Sequence, residues 1–137
     1  MSVPGETQVL PLHTDEDVVR LRKQVRESMI AMRFGLVEQT KYITAASELA
    51  RNVLRYGGGG EGRINYLRDG SRQGLELSFS DQGPGIADIA LALSDGYTSG
   101  GGLGLGLGGA KRLSDDFEID TTPGAGTTVT IVKWKLF

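Results

Sequence analysis

Eight of the chain's 21 glycines fall between Gly96 and Gly109, and no other feature of the sequence restricts its fold as much. Glycine weakens both helix and strand. A compact domain keeps a tract of it where backbone must approach something closely or move. The tract reads Y-T-S-G-G-G-L-G-L-G-L-G-G-A-K-R over residues 97–112. Upstream, residues 80–86 read S-D-Q-G-P-G-I. There a strand is expected to end on the carboxylate of Asp81 and turn through Gly83-Pro84-Gly85. Bare N–H groups cradle phosphate, so phosphate is the first ligand such a tract suggests.

At 137 residues the expectation is one domain over 1–137 with a single core. Residues 1–8, which carry Pro4 and Gly5, are expected to be a loose end. The net charge of -2 gives no reason to expect nucleic acid or an anionic membrane as partner. Cysteine is absent, which excludes a disulfide, a thiolate nucleophile and a Cys-based zinc site. His13 is the sole histidine, which argues against a His-rich metal site and a Ser-His-Asp triad. No basic segment followed by an apolar run opens the sequence, and no apolar stretch is long enough to span a bilayer. A reduced, cytoplasmic setting is the expectation.

In chain order, Val9–Leu12 reads as a short edge strand. Thr14-Asp15 offers a helix N-cap, with Asp15, Glu16 and Asp17 in the first turn, where the macrodipole favours negative charge. Val18, Leu21, Val25, Met29 and Met32 follow at steps of three or four, an amphipathic helix with Arg20, Arg22, Lys23 and Arg26 on its wet side. It is expected to stop near Phe34-Gly35, with Gly35 available for a left-handed cap. A second helix is expected over Val37–Tyr56, ended by the glycines at 57–60. Strands are expected at 64–67 and 75–80, joined by a turn at Asp69-Gly70. A short helix over Ile86–Leu93, the glycine tract, a helix over Leu105–Leu113 and strands at 117–121 and 127–134 complete the reading. The sum is an α+β fold: a two-layer α/β sandwich, with a mixed, mostly antiparallel sheet and helices on one face.

Three constellations carry chemistry. Glu48 and Asn52 lie four residues apart, so they share a helix face beside Ala45, Ala46, Leu49, Ala50 and Val53. An amide oxygen can be one ligand of a Mg²⁺ that is otherwise held by water and phosphate. A carboxylate can orient or deprotonate an attacking hydroxyl. Taken alone, E-x-x-x-N is more often a solvated strip. Second, Asp81 at the end of an apolar strand needs a donor if buried; an adenine amine is one, and a turn capped by the Asp side chain is the alternative. Third, Gly104, Gly106 and Gly108 alternate with leucines just before a helix. That is a weak anion signal by itself, and it lacks the G-x-x-x-x-G-K-[ST] of a P-loop.

In this order and at these separations, Glu48…Asn52, D-Q-G-P-G at 81–85, G-G-L-G-L-G-L at 101–107 and G-A-G-T-T at 124–128 resemble the motifs of the GHKL ATPases. Within that superfamily, S-E-L-A-R-N at 47–52, D-G-Y-T-S-G-G-G-L-G-L-G-L at 95–107 and the closing strand to Trp134 are similar to the anti-sigma regulatory factor branch of serine-protein kinases, the stressosome switch kinases among them. The resemblance implies the Bergerat α/β sandwich, with ATP and Mg²⁺ as cofactors. By matched position, Glu48 would be the general base or hydroxyl-orienting group and Asn52 the Mg²⁺ ligand. Asp81 would bind the adenine amine, and Gly83 and Gly85 would shape the base pocket. Gly102, Gly104, Leu105 and Gly106 would line the phosphates, and Thr127 would join the water network around the base.

The resemblance further implies a serine or threonine hydroxyl on a STAS-domain scaffold or antagonist as substrate, and a serine phosphatase as the target that the freed kinase activates. It also admits a homodimer. Two other functions remain open at the level of sequence: direct sequestration of a sigma factor, and a nucleotide-sensing interaction module with little catalysis. The tract contains no arginine; the nearest downstream is Arg112. Stabilisation of charge on the transferred group would therefore fall to Mg²⁺ and helix N–H groups.

Overall fold

The first helix begins where Thr14 turns its side chain onto the backbone. Thr14 is extended (φ -134°, ψ 163°) and its hydroxyl accepts from Asp17 N at 3.2 Å, while Asp17 Oδ2 accepts from Thr14 N at 3.1 Å. This reciprocal capping box satisfies donors that the first turn would otherwise leave orphaned. A computed structural model describes residues 7–85 and 106–135. Its elements are β1 (Gln8–Leu12), α1 (Asp15–Ala31), α2 (Leu36–Gly57), β2 (Gly60–Asp69), β3 (Arg72–Asp81), α3 (Gly106–Arg112), β4 (Asp116–Thr122) and β5 (Gly126–Lys135).

The periodic residues of α1 face inward as expected, with Val18, Leu21, Val25 and Met29 all buried. The end of α1 departs from expectation. Met32 is the cap in right-handed conformation, and the left-handed residue is Arg33 (φ 65°), not Gly35. Two contacts hold this turn: Arg33 N donates to Ile30 O and Phe34 N to Met29 O, each at 3.0 Å, and Phe34 is buried. Arg33 accepts the strained conformation with its side chain in solvent, at a cost of about 1–2 kcal/mol. Gly35 (φ -67°) instead caps the start of α2.

α2 lies across the sheet on Tyr42, Ile43, Ala45, Ala46, Leu49, Ala50 and Val53. Its alanines allow close approach. Tyr42 is fully buried, and its hydroxyl is shared between the carbonyls of Leu75 (2.7 Å) and Ile131 (3.1 Å). Burial pushes this phenol well above its usual range. At the first turn of α2, Glu38 meets Lys133 of β5 at 2.6 Å, and the hydrogen bond from that lysine lowers the glutamate's pKa. Gly58 (φ 73°) closes the helix in left-handed form.

The strands run β1-β2-β3-β5-β4, every pairing antiparallel. The mostly antiparallel sheet expected is thus antiparallel throughout the described residues. β1 starts at Gln8, inside the segment expected to be loose, and the strands at 64–67 and 75–80 extend to ten residues each. Ile64, Leu75, Leu77, Phe79, Val129 and Ile131 line the inner face under the helices. The outer face carries no helix among the described residues; there Ser78–Thr130 (3.2 Å) and Ser80–Thr128 (3.1 Å) form a hydroxyl ladder. This is the expected two-layer sandwich. The helix expected over Ile86–Leu93 lies outside the described residues. No helix among the described residues is long and apolar enough to cross a membrane.

Candidate functional site

Inner-face alternation along β3 runs Leu75, Leu77, Phe79 and then Asp81, so the apolar row ends on a carboxylate. Register sets Asp81 opposite Gly60 on one side and Thr127 on the other. The surroundings of Asp81 are largely glycine, for a steric reason. A Cβ on Gly57 would collide with the Asp81 side chain, its Oδ2 lying 2.7 Å away. A Cβ on Gly60 would strike Ser80 O, and one on Gly126 would strike Asp81 O. Gly126 also has φ 107°, which L side chains rarely adopt.

The turn after Asp81 is built the same way. Asp81 Oδ1 accepts from Gly83 N at 2.9 Å, so the side chain does cap its own turn. Gly83 packs against the end of α2, with Tyr56 O 2.9 Å from where a Cβ would stand. Gly85 (φ 78°) has Thr122 O 2.6 Å from the same notional position. Pro84 O accepts from Gly124 N at 2.7 Å, tying this turn to the one between β4 and β5. Thr127 is buried, and its Oγ1 lies 2.8 Å from Thr121 Oγ1. Asp81, Gly83, Gly85 and Thr127 therefore lie together. Gly57, Gly60 and Gly126 belong to the same floor and were not singled out. Of these only Gly126 had a signal, as the second glycine of G-A-G-T-T; Gly57 and Gly60 read simply as helix terminators.

Glu48 sits on the helix face that also carries Val37, Lys41, Thr44, Asn52 and Arg55, the face turned away from the core. Yet it is 7% exposed. The cause is α3: Gly106 N donates to Glu48 Oε1 at 3.2 Å, and Leu107 to Ala110 are buried behind it. Gly106 opens α3 with φ 66°. Asn52, one turn beyond Glu48, is half-buried. The structure thus brings Glu48, Asn52 and Gly106 to one end of the molecule. Gly102, Gly104 and Leu105 lie outside the described residues.

The donor set fits ATP and Mg²⁺. Asp81 is only half-buried, so its carboxylate keeps lone pairs for an amine, and the glycines around it let neighbouring backbone close tightly upon it. No three His, Cys, Asp or Glu side chains cluster to hold a metal among the described residues. A cation here would take the amide oxygen of Asn52 and complete its shell with phosphate and water, as Mg²⁺ does.

Comparison with known proteins agrees with this geometry. Residues 38–136 match the family of histidine kinase-, DNA gyrase B-, and HSP90-like ATPases. The chain is 42% identical, over 88% of its length and 91% of the relative's, to the serine/threonine-protein kinase RsbT of Bacillus subtilis (strain 168). Among solved structures it resembles the RsbU and RsbW domains of a Mycobacterium tuberculosis protein (TM-score 0.64, 18% identity, 96% of this chain and 33% of that one). It also resembles the SiaB–SiaC complex of Pseudomonas aeruginosa (TM-score 0.53, 14% identity, 95% and 89%). At such identities the two structures speak to the fold alone. The chain belongs to the histidine kinase-, DNA gyrase B- and HSP90-like ATPase family, in its branch of serine/threonine-protein kinases.

Proposed function

We propose that the protein is a Mg-ATP-dependent serine/threonine kinase and switch protein of a cytoplasmic sigma-factor partner-switching module. It phosphorylates STAS-domain stressosome proteins and then activates a PP2C-type serine phosphatase. The 42% identity to RsbT over most of both chains carries the choice of a protein hydroxyl as acceptor. The contact of Glu48 with Gly106 N and the glycine-lined surroundings of Asp81 support it.

Bound Mg-ATP supplies the phosphoryl group and neutralises the charge that develops on it. Asp81 accepts from the adenine amine, and the half-buried carboxylate prefers a base with a donor at that edge. Gly83 and Gly85 let the turn after Asp81 pack against the end of α2 and the end of β4; Thr127 and its partner Thr121 would offer hydroxyls to the water around the base. Asn52 offers its amide oxygen to the metal. Glu48, already accepting from Gly106 N, has lone pairs left for a serine or threonine hydroxyl. It would align that hydroxyl and accept its proton, the nucleotide supplying the γ-phosphoryl group and leaving as ADP. Gly106, through the same hydrogen bond, fixes the carboxylate against the start of α3.

The experiment is transfer of γ-phosphate label to a purified STAS-domain protein, with Asn52→Ala as the variant. Asn52 is outside the apolar core, so the variant should fold, and transfer should fall by at least about a hundredfold, as for loss of a major transition-state contact. Full transfer by Asn52→Ala in magnesium would remove the metal-ligand assignment. No transfer by the wild-type protein would remove the kinase reading.

A further inference from the structure

The exposed face of α2 continues past the site. Val37, Lys41, Thr44, Glu48, Asn52 and Arg55 recur at steps of three and four, one line along the helix. At its far end stand the most exposed large apolar side chains among the described residues, Leu36 (77%) and Val37 (64%), with Ile30 (55%) across the α1–α2 turn. The buried Phe34 and the hydrogen bonds of Arg33 and Phe34 back into α1 hold that turn tightly, so α1's end and α2's start present one patch. Arg26, Arg33 and Lys41, all exposed, lie near it and outnumber the one exposed acid beside Ile30, Glu27. Val37 and Glu48 are eleven residues apart on the helix, roughly 16 Å at 1.5 Å per residue.

We infer that Ile30, Leu36 and Val37 form the docking patch for the protein substrate, gripping an apolar side chain set among carboxylates while the accepting hydroxyl lies at Glu48. This rests on the kinase reading. The basic rim argues for an acidic partner surface. A two-fold contact between copies would set Arg26, Arg33 and Lys41 against themselves, which like-charge repulsion opposes. The shared helix face argues that the partner is the substrate: the line from Val37 runs through Lys41 and Thr44 to Glu48, where α3 meets the helix. An apolar centre inside a polar rim is the common anatomy of a protein–protein interface.

The test uses the full chain and the same STAS-domain protein. Leu36→Glu/Val37→Glu and Arg33→Glu/Lys41→Glu are compared with wild type for binding by calorimetry, for KM and kcat of label transfer, and for ATP affinity. Both pairs lie outside the core, and thermal melts check the fold. The expected result is a KM for the STAS protein raised about tenfold or more, with ATP affinity and kcat within twofold. Transfer indifferent to both variants overturns the docking patch and leaves the kinase reading intact. Binding that the variants weaken, but with no transfer, overturns the kinase reading and keeps the patch. No binding and no transfer by wild type overturns both. If the variants abolish binding to vesicles containing phosphatidylserine, or convert a dimer to a monomer, and leave KM unchanged, the patch serves a membrane or a second copy and the inference fails.

Discussion

At Asp81 the carboxylate and the turn it caps respond differently to one substitution. Asp81→Asn keeps an oxygen for Gly83 N, so the turn survives, but a charge-assisted bond to the nucleotide is lost. ATP should bind about 1.5–3 kcal/mol more weakly, read by calorimetry; unchanged affinity would make Asp81 a turn residue only. Gly126 and Gly124 form a second contrast. Both have positive φ, but a Cβ on Gly126 would meet the Asp81 carbonyl, whereas one on Gly124 would meet open space. Gly124→Ala should therefore cost only the backbone term, about 1 kcal/mol. Gly126→Ala should cost more, on the order of 1–3 kcal/mol, with nucleotide affinity falling as well. Urea melts of the two variants that coincide would refute the contact. These residues also show the limits of sequence. Asp81 was legible because it broke an apolar alternation; Gly57 was not, because its contact is with a strand more than twenty positions away, and a helix-ending glycine run explains the same letters.

Among the elements, α1 owes its start to Thr14 and Asp17. Thr14→Ala should destabilise by about 1 kcal/mol, measured by urea denaturation near neutral pH. Asp17 is held below its ordinary pKa, first by the backbone N–H of His13, then by Thr14 and Arg20 against a desolvation penalty. A lowered folded-state value means its stabilisation is complete above the ordinary value of 3.8 and fades as pH falls through the lower, folded one. Asp17→Asn should therefore flatten the stability profile below about pH 4 and leave its alkaline side unchanged; an unaltered acid limb would discount the carboxylate. Helix positions were readable because apolar residues recur at steps of three and four and Thr14 precedes three acids. The end of α1 was not, since glycine is the residue expected in a left-handed turn. Burial of Phe34 fixes the link instead, and that decision is made in the core.

For the molecule as a whole, period-two patterning and turn residues between strands made the α+β sandwich legible. The order β1-β2-β3-β5-β4 was not, because pairing of β3 with β5 joins segments about fifty residues apart and no local signal records it. Glu48 and Asn52 were legible as a helix pair. The burial of Glu48 was not, because α3 causes it from Gly106.

The order of strands has one more consequence. β2–β3 and β4–β5 are hairpins of neighbouring sequence, cheap to form by themselves, whereas the β3–β5 seam closes a long loop late. Asp81 and Thr127 face each other across the site end of that seam. A nucleotide resting on both would act as a staple between two folding units, lending its binding energy to a non-local joint of the sheet. Saturating ATP at about a hundred times Kd should add roughly 2.7 kcal/mol to global stability. Amide exchange should slow most where the hairpins meet, at Thr127 and its neighbours. Protection confined to the far end of the sheet, by Gln73 and Lys135, would show that the ligand sits elsewhere. On this arrangement the kinase is most fully folded when it is loaded, and its nucleotide is part of its architecture.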